Sequence, residues 1–112
     1  MNNCNESDWK LFRKKLPEWQ EAYMERLVRE YAALLAGPEK ASDKFWKLEK
    51  RINSDREHVG VVARMSRSWM LRNIYSLLAE GAITPDDLTE FSDDLQGQTA
   101  HLIRNGSTDI LS

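Results

Sequence analysis

Apolar side chains recur along this chain at a helical period almost from end to end, and nowhere do they sustain the two-residue alternation of a strand. Trp19, Tyr23, Leu27, Tyr31 and Leu35 follow one another every four residues, with Val28 and Leu34 beside them. Phe45, Trp46, Leu48 and Ile52 form a narrower stripe, flanked by Lys44, Lys47, Lys50 and Arg51. From Val61-Val62 through Met65, Trp69, Met70, Leu71, Ile74, Tyr75, Leu77 and Leu78, apolar residues cover more than half of a helix circumference, which suits a central helix. Leu88, Phe91, Leu95, Leu102 and Ile103 supply the last stripe. The fold class predicted is all-α, a small helical bundle of four main helices plus a short N-terminal helix.

Local signals divide the stripes. Ser7 stands as a helix cap before Trp9-Lys10-Leu11-Phe12, and that opening helix should yield before Pro17, which suits the first turn of the next one. Gly37-Pro38 ends the second helix and Ser42 starts the third, while the lapse from Asn53 to Gly60 reads as a loop. Gly81 punctuates the fourth helix. Thr84-Pro85-Asp86-Asp87 combines a hydroxyl cap, a first-turn proline and two carboxylates at the positive helix end, and so predicts a restart. Gly97 is a candidate kink. Residues 1–7 read as a flexible N-terminus, 8–104 as one domain and 105–112 as a flexible tail.

Composition narrows the function. With 112 residues the chain can bury roughly 65% of its unfolded surface, enough for a single core. Apolar residues at 41% and charged residues at 30% fit neither disorder nor a membrane protein, and no apolar run or signal-peptide core is present. A cytoplasmic location and no membrane partner are expected. Cys4 is the only cysteine, so no internal disulfide and no cysteine pair for zinc can form. The net charge of −2 opposes general nucleic-acid binding, but the charges are sorted along the chain. Residues 1–40 balance, 41–72 hold eight basic and four acidic residues, and 73–112 hold one basic and seven acidic.

No constellation for catalysis stands out. His58 and His101 lack metal-ligand spacing, the five glycines are scattered, and no nucleophile–base pair is visible, so the chain reads as non-enzymatic with no cofactor and no metal. Asp86, Asp87, Glu90, Asp93 and Asp94 form the densest acidic group, spaced to bring several carboxylates to one helix face as a docking surface for a basic partner. Arg51, Arg56, Arg64, Arg67 and Arg72, with Ser66, Ser68 and Trp69 among them, form the candidate anion or nucleic-acid surface. The joint from Leu77 to Leu88 loosely resembles a helix-turn-helix, yet residues 85–96 carry five carboxylates and no cation, which phosphates would repel. Trp9, Trp19, Trp46 and Trp69 are core candidates, and any that reached the surface would be a contact hot spot.

Trp9-Lys10-Leu11-Phe12 with Leu16-Pro17-Glu18-Trp19-Gln20-Glu21-Ala22-Tyr23-Met24, Ser42-Asp43-Lys44-Phe45-Trp46-Lys47-Leu48-Glu49, and Ile83-Thr84 through Asp94-Leu95 also carry a resemblance. Over residues 8–95 the chain resembles small uncharacterised helical proteins carried on mobile genetic elements of gut bacteria. Some of these bear an automatic transporter label, which the lack of a spanning segment here contradicts. The resemblance transfers no catalytic residue. It implies a regulator of element transfer or an inhibitor of a host defence nuclease. The expected function is therefore a non-enzymatic protein that binds and modulates another protein, the alternative being a nucleic-acid-binding accessory protein using the arginine surface. Self-association is a further expectation, because the fourth helix carries more apolar circumference than a monomeric bundle needs.

Overall fold

The computed structural model describes residues 5–101, all of whose regular elements are helical, with no strand among the described residues. Helix α1 runs from Glu6 to Leu35. Its cap is Asn5, whose side chain accepts from the Ser7 N–H at 2.8 Å and the Asp8 N–H at 3.3 Å. Ser7 therefore lies inside the first turn, and residues 6 and 7 belong to the helix rather than to a flexible arm. The break expected at Pro17 does not occur. Pro17 is exposed, so its ring points to solvent and only one backbone bond is forfeited. Phe12 and Leu16 before it and Tyr23 after it are all buried, and that burial keeps both halves on one axis. The short leading helix and its successor are thus one element of 30 residues.

The chain reverses at 36–40 into α2, Ala41–Asp55, capped by Lys40 without a side-chain bond, so Ser42 is not the cap. The helix runs past the predicted lapse at Asn53 because Asp55 is buried against α1. Residues 62–65 then have no regular structure where a helix was predicted, and a short 3-10 turn, Arg67–Trp69, leads into α3, Met70–Ala79. Neighbouring side chains capture the backbone of this segment. Gln20 donates to the Val59 carbonyl at 2.9 Å, and buried Asn73 donates to the Arg64 carbonyl at 2.8 Å. Gly60 is buried beneath the Tyr23 ring.

Gly81, with φ of 74°, ends α3 as predicted, and the Arg26 guanidinium donates to the Glu80 and Gly81 carbonyls at 3.2 and 3.3 Å. The restart signal at Thr84 makes only a 3-10 turn, Pro85–Leu88, in which the Asp87 carboxylate accepts from the Thr84 N–H at 2.8 Å. The last helix, α4, spans 93–101, as far as the described residues reach, and Gly97 does not interrupt it. Its cap is Ser92, whose Oγ accepts from the Leu95 N–H at 3.1 Å. Cys4, Leu102, Ile103, the domain limit at 104 and the tail at 105–112 lie outside the described residues.

These elements build a head and an arm within an envelope of 52 × 29 × 24 Å. The head packs the first half of α1 against α3, the Pro85–Leu88 turn and α4, around Trp9, Phe12, Leu16, Met70, Ile74, Leu77, Ile83, Leu88, Phe91 and Leu95. Trp9, Phe12, Trp19 and Phe91 form a chain of aromatic contacts with successive ring centroids 6.1, 6.3 and 6.2 Å apart. At the same end the buried Asp8 carboxylate accepts from the Ser92 N–H at 2.9 Å and the Ser92 hydroxyl at 2.6 Å, joining the start of α1 to the start of α4. The second half of α1 leaves this core and pairs with α2 as a helical hairpin.

Candidate functional site

The hairpin arm is held by a polar joint. Lys44, Leu48, Arg51 and Asp55, at i, i+4, i+7 and i+11, are the four least exposed residues of α2 and turn toward α1. Tyr31 donates to Asp55 at 2.6 Å, while Arg51 pairs with Glu30 at 2.8 Å and with Asp55 at 3.3 Å. The Arg51 guanidinium also lies over the Tyr31 ring, 5.4 Å from its centroid. Burial, and then the hydrogen bond to the Asp55 carboxylate, push the Tyr31 phenol up to about 12.

This joint takes in Leu48 and leaves the rest of the apolar stripe of α2 outside. Phe45, Trp46 and Ile52 are 58%, 63% and 42% exposed, and on α1 Val28 and Leu35 are 61% and 45% exposed. Phe45 and Ile52, like Val28 and Leu35, are spaced i, i+7, and on antiparallel helices each pair lies to the same side of the joint. The Phe45 and Trp46 rings meet edge to face, centroids 4.8 Å apart. Together these side chains place five large apolar groups in water on one two-helix arm. The sequence pattern assigned them to a core. α3 itself buries Met70, Ile74, Tyr75 and Leu77 and packs Leu71 and Leu78 partly against the core, so the exposed apolar surface lies on the arm and, before α3, at Val62 and Met65, which are 63% and 48% exposed.

The acidic five do not share a helix face. Asp86 and Asp87 lie in the Pro85–Leu88 turn, Glu90 in the bend after it, and Asp93 and Asp94 in the first turn of α4. Asp87 is occupied with Thr84, and Glu90 pairs with Lys15 at 3.4 Å. Asp86, Asp93 and Asp94 remain exposed. Asp93 and Asp94 border an open groove with Leu71, Gly97, Gln98 and His101. No recognition helix follows Gly81, because the Pro85–Leu88 segment is a single turn.

The five arginines sort into distinct groups. Arg51 is spent in the arm joint, and Arg67 binds Glu6 through two bonds of 2.7 and 3.2 Å, which holds the Glu6 carboxyl below its ordinary range. Arg56 is exposed at the end of α2. Arg64 and Arg72 both stack on Trp69, their guanidinium carbons 4.9 and 4.6 Å from the ring, and neither has a carboxylate within 4 Å among the described residues. A second stack lies alongside, with Arg13 and Arg67 over Trp9 at 5.8 and 5.4 Å. The interleaving of arginine with Trp69 was legible in the sequence, whereas the role of Trp9 was not.

His58 lies 3.6 Å from Glu80, and the described residues contain no group of three or more His, Cys, Asp or Glu side chains placed to hold a metal ion. No helix among them is long and apolar enough to cross a membrane. No known protein family matches this chain, and neither does any curated protein or solved structure.

Proposed function

We propose that this chain is a non-enzymatic interaction protein that binds another protein through its arm. The observation that carries the reading is the exposed apolar surface of the hairpin, where Val28, Leu35, Phe45 and Ile52 lie to one side of the joint and Trp46, its ring against Phe45, stands in water beside them. A two-helix hairpin whose own joint is polar stabilises itself weakly, because helices in proteins draw most of their stability from packing an apolar face. A partner helix laid against these residues completes a three- or four-helix bundle. Exposed Trp46 and Phe45 are the residue types that dominate such contacts. Asp86, Asp93 and Asp94 on the head contribute steering of a basic partner more than affinity.

The test is affinity capture of the tagged chain from its host with nuclease treatment, comparing wild type with Phe45→Glu/Ile52→Glu and with Asp86→Lys/Asp93→Lys/Asp94→Lys. A stoichiometric protein retained by wild type and lost from the arm variant, with helicity unchanged by circular dichroism, is the expected result. The acidic-residue variant should slow association and leave most of the complex intact. Retention by the arm variant would reject the arm as the docking element.

A further inference from the structure

We propose that Arg64, Trp69 and Arg72 form a phosphate clamp that takes the backbone of a single-stranded nucleic acid. The argument begins with which cations the fold leaves uncommitted. Arg51 and Arg67 are held by carboxylates, whereas Arg64 and Arg72 are exposed and held by the indole of Trp69. A guanidinium stacked on an aromatic ring uses its face for that contact and keeps its in-plane N–H donors for a forked bond to a phosphate. The stacking also fixes two otherwise flexible side chains before ligand arrives, which lowers the ordering cost of binding.

The fold sets this geometry from three directions. Trp69 sits in the Arg67–Trp69 turn and Arg72 in the first turn of α3, while Arg64 is anchored through its carbonyl by buried Asn73. In the sequence between the arginines, the Ser66 and Ser68 hydroxyls are bonded to each other at 3.4 Å, which leaves one of the two O–H groups to donate to a phosphate oxygen. Nearby, Arg13 lies over the edge of the head at buried Trp9, 5.8 Å from its ring, and adds one exposed cation to this surface.

The strip fits one strand and not a duplex. It is narrow: on the neighbouring side of α3, Leu71 borders a groove lined by the exposed carboxylates of Asp93 and Asp94, which repel a second row of phosphates. Exposed cations set around a partly exposed aromatic ring are also a surface by which proteins hold the backbone of a single strand. These residues lie on the head and the docking residues on the arm, so neither proposal depends on the other.

The experiment is fluorescence anisotropy of a short fluorescein-labelled oligothymidylate and of an oligouridylate against the full chain, over a range of KCl concentrations. Wild type, Arg64→Gln/Arg72→Gln and Arg51→Gln are compared, with the double variant's fold checked by circular dichroism. The expected result is salt-sensitive binding by wild type, weakened about tenfold or more in the double variant. The slope of log K against log salt should fall in magnitude by about 1.4, from two lost phosphate contacts at roughly 0.7 each on a single strand. Arg51→Gln should bind like wild type. Absence of wild-type binding at low salt would overturn the proposal, as would an unchanged slope in the double variant or tighter binding to a duplex of the same length. Displacement of the oligonucleotide by millimolar inorganic phosphate at matched ionic strength would also overturn it, since that marks a simple anion site.

Discussion

Replacing Asp8 by Ala removes the acceptor that ties the two ends of the head together. The Ser92 N–H and hydroxyl, bonded to it at 2.9 and 2.6 Å, then lose their partner, and the Ser92 cap of α4 loses its support. Hydrogen bonds to a charged acceptor contribute roughly 1.5–3 kcal/mol each. Ser92 is only half-buried, so water recovers part of that, and the net expectation for Asp8→Ala is a loss of about 2–4 kcal/mol. Against a total of roughly 5–15 kcal/mol for a domain, this is a large fraction. In urea, with a slope of roughly 1–2 kcal/mol per molar, the midpoint should fall by about 2 M with the slope unchanged. Tryptophan fluorescence and far-ultraviolet circular dichroism should report the same transition. Ser92→Ala should cost less, and the double variant should cost less than the two single losses combined, a coupling of about 1–2 kcal/mol. A loss below about 0.5 kcal/mol for Asp8→Ala, or additive losses in the cycle, would refute the claim that this contact closes the head.

Further outcomes follow from other positions. A methyl group at Gly60 would lie within 2.6 Å of Tyr23 Cγ, so Gly60→Ala should destabilise by about 1–3 kcal/mol, measured by urea denaturation, and should cost little further in a Tyr23→Ala background, where the ring it strikes is gone. Pro17→Ala should stabilise by about 1–3 kcal/mol because it restores an interior helix bond at an exposed site; a lower melting temperature would mean that the proline shapes α1 in a way the core requires. The Tyr31 phenol is held near 12 in the fold against about 10 in the unfolded chain, so the neutral form is the one the fold favours. Its contribution is complete below pH 10 and is lost as pH rises from 10 toward 12. Wild type should therefore lose roughly 1–2 kcal/mol more than Tyr31→Phe across that window, less than two full units because the ring is part-exposed. Parallel stability curves for the two proteins would show that the Asp55 bond contributes nothing.

How much of this was legible depended on range. A helical stripe reports that a segment is helical, and the all-α class followed from it. It does not report what the stripe meets. The α2 stripe read as narrower than that of α3 but still as a buried face, yet α3 met α1 and α4 whereas α2 met a polar joint built from Tyr31, Glu30, Arg51 and Asp55. That joint places charged residues at the α1-facing positions of α2, a hint visible in Lys44, Arg51 and Asp55 only once the facing side is known. Pro17 and Thr84 show the same limit. Local rules read the first as a break and the second as a helix start, and burial of residues on either side decided otherwise. The sorting of the arginines rested largely on carboxylates far away in sequence, Glu30 for Arg51 and Glu6 for Arg67; the Asp55 partner of Arg51, four residues on, was the one local sign. Asp8 and Ser92 are 84 residues apart, and nothing local marks either as the other's partner.

The head is stitched from both ends of the chain, and this gives its synthesis a definite order. The arm joins neighbours in sequence and can form once residue 55 has left the ribosome. Trp9, Phe12 and Leu16 must wait for Ile74, Leu77, Leu88 and Leu95 before they are covered. Throughout that interval the growing chain presents a weakly held arm beside an open apolar core, the condition in which chaperones engage a nascent chain and proteases remove a stalled one. Any message truncated before the codon for Leu95 should yield a short-lived product, however well its arm has folded.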